Sequence, residues 1–94
     1  AQFVEARVDV DSGEVRLERV LGVFAVGRIM NPKTARSQLI GGMTMGIGMA
    51  LMEESIMDPV FGDYVNHDLA DYHVPVCADI RSIERRGSTS TTPI

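Results

Sequence analysis

Residues 36–54 read RSQLIGGMTMGIGMALMEE, and four glycines lie inside this stretch although every other signal in it predicts a helix. A glycine in a helix interior costs about 1 kcal/mol relative to alanine, so the four together cost about 4 kcal/mol. A helix that keeps such residues must gain something from the missing side chains. This stretch therefore predicts the central helix of the fold and is the first candidate for a functional site.

The bounds of this helix follow from the residues on either side of it. Asn31 and Pro32 predict its start, because an asparagine side chain accepts hydrogen bonds from the free amides of the first turn and proline at the first helical position leaves no amide unpaired. Asp58 and Pro59 predict its end at about 56–57, since proline disfavours the helical conformation in the residue before it. We therefore expect one long helix that crosses the domain.

The glycines are expected on one side of this helix. With about 100° of rotation per residue, positions 41, 42, 46 and 48 share a face with Gln38 and several methionines, whereas the opposite face carries Ile40, Met43, Ile47 and Leu51. The apolar face predicts ordinary core packing. The glycine face would let a neighbouring backbone, a ring system or a cofactor come close, with the amide of Gln38 near its start. On this pattern alone, a binding site and simple tight packing of the helix both remain open.

Two extended segments precede the helix. Residues 3–10 alternate apolar and polar side chains, as a strand buried on one face does, and Gly13 lies in the turn after them. Residues 15–17 resume the alternation, and 20–26 are continuously apolar, as in a strand covered on both faces. We predict an α+β fold: an N-terminal β-hairpin with the helix packed on it, then a small turn-and-strand element centred on Gly62 and a further extended segment at 69–76.

The chain has 94 residues, which is enough for one domain at most. Residues 1–80 carry six basic and twelve acidic groups, a net charge of −6, whereas residues 81–94 carry three basic and one acidic group, a net charge of +2. The second segment is rich in serine and threonine near its end and offers little apolar surface to bury. We expect residues 1–80 to form the folded fragment and residues 81–94 to form a flexible, diverged or truncated tail.

Composition and spacing argue against several classes of function. The net charge of −4 disfavours nucleic acid as a partner, because that binding needs clustered Lys and Arg. No stretch of the sequence has the length and apolarity of a membrane span. The glycines lie several turns inside the helix, so their amides are already bonded and do not form a phosphate-binding loop. The Gly-x-Ser-x-Gly motif of many hydrolases is also missing.

Two further features carry potential chemistry. His67, Asp71 and His73 share one face of an extended strand, but we favour a polar strand near the surface and assign no metal ligand. Cys77 is the only cysteine, so this chain can form neither an internal disulfide nor a four-cysteine metal or iron–sulfur site. We expect Cys77 to be buried and unreactive.

Three blocks of sequence together carry a family resemblance. They are FAVGRIMNP at 24–32, ARSQ at 35–38 followed by the glycine-rich helix to Glu54, and NHDLADYHVP at 66–75. In this order and spacing they resemble the molybdenum-binding, molybdopterin-containing subunit of the xanthine dehydrogenase and aldehyde oxidase family. The resemblance covers about residues 1–80 and corresponds to a fragment of the C-terminal half of that subunit.

The resemblance implies a function for the whole protein. It would be an oxidoreductase that hydroxylates an aldehyde or an N-heterocycle with water as the oxygen source, using molybdopterin. In that family the glutamine of this block contacts the cofactor, so the resemblance implies this role for Gln38. An amide suits the role, since it can donate and accept hydrogen bonds without adding charge. Gly41, Gly42 and Gly46 would allow close approach. Iron–sulfur clusters and FAD would belong to partner subunits or domains.

Several expectations follow from what the chain lacks. The catalytic glutamate of the family stands in a Gly-x-Gly-Glu block that this chain does not contain, so we assign no catalytic residue and expect the fragment to be inactive alone. Its partners would be the rest of the molybdenum subunit, the iron–sulfur and FAD subunits or domains, and a small aldehyde or heterocycle. We expect a cytoplasmic compartment and leave a periplasmic one open. The alternative is a small interaction or oligomerisation module that uses the glycine face, and exposed apolar surface would favour self-association of the fragment.

Overall fold

The computed structural model describes residues 1–87. Within them the chain forms the strands β1 (Gln2–Val8), β2 (Val15–Phe24), β3 (Met57–Asp58), β4 (Asp63–Tyr64) and β5 (Ile83–Gly87), and the helix α1 (Pro32–Leu51). Strands β1, β2 and β5 form one sheet in that order, and β3 pairs with β4 in a second, two-stranded sheet. The predicted α+β fold, with a hairpin, a long glycine-rich helix and a second short β element, is confirmed.

The hairpin of β1 and β2 is antiparallel and contains an irregularity that sets its inner face. Val4 pairs with Val20 and Ala6 pairs with Leu17, with a register shift between them. Leu17 and Val20 are three residues apart, so in a regular strand they would point to opposite faces of the sheet. The extra residue of the bulge allows both to be buried, because it resets the alternation.

The turn of this hairpin is fixed by one carboxylate. Asp9 Oδ1 accepts hydrogen bonds from the backbone amides of Asp11, at 2.9 Å, and Ser12, at 3.0 Å. These bonds favour the charged form and lower the pKa of Asp9. Gly13 follows with φ of 75°, the left-handed conformation that glycine adopts without strain.

The core lies where α1 crosses the sheet. Leu17 and Val20 of β2 and Met43 and Ile47 of α1 are buried, and Phe24, Ile80 and Ile83 pack around them. The outer face of the sheet instead carries exposed ion pairs, such as Arg19 with Glu5 at 3.3 Å. One face of the sheet therefore packs against the helix, and the other carries exposed charged side chains.

Part of the segment expected to be a tail forms a strand. Residues 83–87 form β5, which runs parallel to β2 with Ile83 opposite Val20 and Gly87 opposite Phe24. Since α1 lies between two parallel neighbouring strands in the sequence, it serves as a crossover connection. Ile83 contributes to the core, whereas Glu84 and Arg86 are exposed, as on the edge strand of a sheet. Residues 88–94 lie outside the described part of the chain.

The helix also ends earlier than expected, at Leu51 rather than near 57. The physical reason is a side chain that lies far away in sequence. Asn66 Nδ2 donates to the carbonyl oxygen of Glu54 at 2.5 Å, and Asn66 Oδ1 accepts from the amide of Ile56 at 3.1 Å. These two bonds hold the chain after α1 in an extended path, and one of them takes the amide of Ile56 that a longer helix would have used.

Two smaller expectations have different outcomes. The turn centred on Gly62 is present: this residue has φ of 69° and lies between β3 and β4. The extended segment expected at 69–76 is wrong as a strand, since residues 69–71 form turns and bends and 72–76 join no sheet. Cys77, expected to be buried, is exposed because it lies in the turn that follows this segment.

Candidate functional site

Gln38 is positioned by a well-capped helix start. Asn31 adopts an extended conformation, with φ of −134°, and its Oδ1 accepts from the amides of Lys33 at 3.0 Å and Thr34 at 3.3 Å. Pro32 occupies the first helical position, as predicted. Because the first turn is fixed in this way, Gln38 lies on a regular part of α1 and its direction is set by the rotation of the helix.

The side chain of Gln38 lies at an open groove of about 600 Å³ between α1 and the inner face of the hairpin. Gly42 and Gly46 line the same groove, and from the sheet Val4 and Phe24 do so. None of the groove's lining residues carries an ionisable side chain, and its polar side chains are the amides of Gln2 and Gln38. The groove is therefore neutral and suits a group that binds by shape and hydrogen bonds rather than by charge.

Gln38 itself is exposed, and within residues 1–87 its side chain forms no hydrogen bond. An amide can accept and donate several hydrogen bonds. The side chain of Gln38 is therefore available to a group from outside the described residues. Sequence reasoning singled out Gln38 but missed Gln2, which lies on β1 far from the helix in sequence and carries no motif that could have revealed it.

Three of the four helix glycines face open space. A Cβ atom built on Gly41, Gly42 or Gly46 would meet nothing within 4 Å. Packing within residues 1–87 therefore does not require glycine at these positions. Since alanine would favour the helix by about 1 kcal/mol at each of them, helix preference does not explain these glycines either.

Gly48 differs from the other three glycines. The expectation that it lies on the open face of α1 is wrong. It is buried, and a Cβ built on it would lie 2.8 Å from both Cγ and Cδ of Pro75, closer than real Cβ contacts come. Here the missing side chain is needed for packing inside the chain itself. Tight packing thus explains Gly48 but leaves Gly41, Gly42 and Gly46 unexplained.

The rest of the open helix face is apolar. Met45 is 48% exposed and Met49 is 64% exposed, and both lie on the side that carries Gln38 and Gly41. A helix that is apolar all round is normally buried on all sides. This face is therefore expected to be covered in the complete protein.

A second, more polar cleft of about 570 Å³ lies at the end of α1. Its central contact is a hydrogen bond of 2.6 Å from the hydroxyl of Tyr72 to Oε1 of Glu53. Because this bond stabilises the neutral phenol, and burial adds to the effect, the pKa of Tyr72 is raised. The bond joins residues that are 19 positions apart and so ties the segment before Pro75 to the end of the helix.

Among the residues considered as metal ligands, His67 has another partner. His67 Nδ1 pairs with the carbonyl oxygen of Tyr64. Asp68 Oδ1 accepts from the amides of Ala70 at 2.9 Å and Asp71 at 3.2 Å, which makes it part of a turn. In the part of the chain that the structure describes, no group of three or more His, Cys, Asp or Glu side chains could hold a metal ion.

Comparison with known proteins places this geometry in a family. Residues 1–81 match the molybdopterin cofactor-binding domain. The chain belongs to this family. The matched range contains the hairpin, α1 and the polar cleft, and ends just before β5.

Individual members of the family show how much of a complete protein the chain represents. It is 58% identical over 92 residues to the aldehyde oxidoreductase molybdenum-binding subunit PaoC of Escherichia coli, which covers 98% of this chain and 13% of that protein. It is 43% identical over 82 residues to the putative xanthine dehydrogenase molybdenum-binding subunit XdhA of the same species, covering 87% of this chain and 11% of that protein. The chain thus spans about an eighth of the length of the first of these relatives.

A solved structure gives the same result for the fold. The crystal structure of quinoline 2-oxidoreductase from Pseudomonas putida 86 superposes with a TM-score of 0.84 and 29% identity, covering 98% of this chain and 12% of that protein. The resemblance to molybdenum-binding subunits of this enzyme family is therefore confirmed. Among the residues that the structure describes, no helix combines the length and apolarity needed to cross a membrane.

Proposed function

We propose that this chain is the part of a molybdenum hydroxylase large subunit that presents one helix face to molybdopterin. In this proposal Gln38 contacts the cofactor, and Gly41, Gly42 and Gly46 keep that side of α1 free of side chains. The observation that carries the proposal is the empty space around these glycines, since no packing within residues 1–87 requires them.

The groove supports a fit to the ring system of such a cofactor. Its lining is neutral and apolar apart from the amides of Gln2 and Gln38, and a pterin is a planar heterocycle with hydrogen-bond donors and acceptors at its edges. A phosphate group would instead need basic side chains or free helix amides. The groove has no basic lining residue and α1 has a capped start, so we infer that any charged group of the cofactor is held by other parts of the subunit.

When bound, molybdopterin and its molybdenum would supply the redox chemistry that hydroxylates an aldehyde or an N-heterocycle with oxygen from water. The residues of this chain would bind and orient the cofactor. Gln38 adds hydrogen bonds without charge, and the exposed Met45 and Met49 would exclude water once the rest of the subunit covers them. The proton-accepting glutamate would come from another part of the subunit, and the fragment would be inactive alone.

The proposal also assigns partners. The remainder of the molybdenum subunit would cover the open face of α1 and the groove. Iron–sulfur and FAD subunits or domains would carry electrons away, because Cys77 alone cannot hold a cluster. We propose a cytoplasmic location, and a periplasmic one agrees equally with the described residues.

One observation favours a second function. The exposed apolar side chains of Met45 and Met49 on a glycine-lined helix face would also suit contact with another helix, as in an interaction or oligomerisation module. Such a module would associate with a protein partner or with itself and would need no pterin. Analysis of the full-length protein for bound pterin separates the two functions, since the interaction module needs none.

The decisive experiment replaces Gln38 in the full-length subunit. We expect Gln38→Ala to lower the molybdenum content per subunit or the turnover number, because the amide that binds the cofactor is lost. Lys33→Ala, an exposed change five residues earlier on α1, serves as the matched control and should leave both unchanged. Unchanged metal content and unchanged kinetics in Gln38→Ala would remove Gln38 from the site.

A further inference from the structure

The segment at 72–75 contacts the far end of α1 at two points. Pro75 is buried and packs against the Cα of Gly48, where a Cβ would lie 2.8 Å from two ring carbons. Tyr72 donates a hydrogen bond of 2.6 Å to Glu53, just beyond the last residue of the helix. Both contacts lie inside residues 1–87.

These contacts constrain α1 in two independent ways. Pro75 is a rigid ring with no side-chain torsion to adjust, and Gly48 lets it come closer to the helix axis than any other residue would. The bond from Tyr72 fixes the end of the same helix from the same segment. A helix held at a close packing contact and at its end is restricted both in sliding and in rotation about its axis.

The position of Gln38 depends on this restriction. Gln38 lies ten residues before Gly48, which is about 15 Å along the axis of one regular helix. A rotation of about 20° would move a side-chain end at a radius of about 6 Å by about 2 Å. A hydrogen bond weakens steeply over such a distance, and misplacement by about 1 Å can reduce activity about 100-fold.

We propose that Pro75 and Gly48 form a packing lock, assisted by Tyr72, that sets the rotation of α1 and so positions Gln38 toward the cofactor. Pro75 and Tyr72 are positioning residues and act through Gln38. The inference rests on the proposed contact of Gln38 with molybdopterin. The lock explains the glycine at position 48 by its contact with Pro75, whereas the glycines on the open face are explained by the approach of the cofactor.

The test uses the full-length subunit and four variants: Gly48→Ala, Pro75→Ala, the double variant, and Pro59→Ala as a matched control on an exposed proline. In Gly48→Ala the new methyl group must move by at least about 0.6 Å to reach ordinary van der Waals distance from the ring. We expect molybdenum occupancy to fall about tenfold or more, and the double variant to recover to within about threefold of Pro75→Ala. Pro59→Ala should not change occupancy.

Two results would overturn the lock. The first is normal occupancy in Gly48→Ala, and the second is a double variant that is no better than Gly48→Ala. If Gly48→Ala does not fold, the double variant decides: recovery of folding and of cofactor loading supports the lock, and continued failure refutes it.

A combination with Gln38→Ala separates positioning from simple stability. If the lock acts through Gln38, Gly48→Ala should cause little further loss of occupancy in a subunit that already carries Gln38→Ala, although the two sites are about 15 Å apart. Additive losses would show a merely structural role and overturn the inference. Normal loading of Gln38→Ala alone would instead refute the proposed cofactor contact, and a loss in Gln38→Ala with none in Gly48→Ala would refute only the lock.

Discussion

Gly42→Ala in the full-length subunit has an effect whose sign depends on whether the cofactor is bound. The change adds one methyl group to α1 at a position where nothing in residues 1–87 lies within 4 Å. In the apo-subunit the space that the cofactor would fill is open, so the helix preference for alanine should raise the free energy of unfolding by up to about 1 kcal/mol. In the holo-subunit the methyl group would enter space that the cofactor itself occupies.

The magnitude in the holo-subunit follows from overpacking. Forcing a methyl group into a close contact costs about 1–3 kcal/mol, and this cost falls on the bound state alone. Cofactor affinity should therefore drop about 5- to 150-fold. The assay measures thermal unfolding of the apo-subunit, prepared from a host without the cofactor, and molybdenum content after reconstitution with limiting cofactor.

Ala35→Gly is the matched control for this experiment. Ala35 lies in the first turn of α1 and does not line the groove beside Gln38. The reverse change should lower the stability of the apo-subunit by up to about 1 kcal/mol and leave cofactor loading unchanged. Two results together would refute the close approach of a ligand at Gly42. They are normal cofactor loading of the Gly42→Ala subunit and equal stabilisation of its holo-form and its apo-form.

Three further outcomes are expected. Asn66→Ala should lower the free energy of unfolding by about 1–3 kcal/mol in chemical denaturation, because two backbone groups after α1 lose their partner, whereas Asn66→Asp should lose less since it keeps the acceptor for Ile56. Tyr72 has a raised pKa, so its stabilising bond to Glu53 is fully present below the ordinary tyrosine pKa and is lost as the pH rises through the folded-state pKa. In a pH titration, the difference in absorbance between wild type and Tyr72→Phe should place the ionisation of Tyr72 above that of a free tyrosine. A titration midpoint at the ordinary tyrosine pKa would contradict the bond. Asp9 has a lowered pKa, so its contribution to the stability of the hairpin is present above the ordinary aspartate pKa and is lost as the pH falls through the folded-state pKa. In a series of thermal melts, Asp9→Asn should therefore lose less stability than wild type below about pH 4. Equal acid sensitivity in both proteins would contradict the stabilising role of Asp9 in the turn.

The elements that local chemistry specifies could be predicted from the sequence. Asn31 and Pro32 fixed the helix start because capping involves only neighbouring residues. Gly62 marked a turn for the same reason, since positive φ is a property of a single residue. The alternation of apolar residues revealed the hairpin, although the bulge that buries Leu17 together with Val20 carries no local signal.

The features that the sequence did not reveal depend on contacts between distant residues. The end of α1 is decided by Asn66, which lies 12 positions beyond Glu54. Strand β5 consists mostly of charged residues and is recognisable only from its pairing with β2. Gly48 could not be separated from the other helix glycines until Pro75 was placed against it. For the candidate site, the pattern predicted Gln38 and its glycine face, and this stays a prediction; it did not reveal the sheet residues across the groove.

A crystal structure of the complete, cofactor-loaded subunit would test the central claim most directly. The quantity to measure is the distance from the side-chain amide of Gln38 to the nearest nitrogen or oxygen of molybdopterin. We expect a hydrogen bond within about 3.2 Å, with no protein side chain between the cofactor and the glycine face of α1. A cofactor beyond about 5 Å, with Gln38 bonded to solvent or to another protein segment, would contradict the claim.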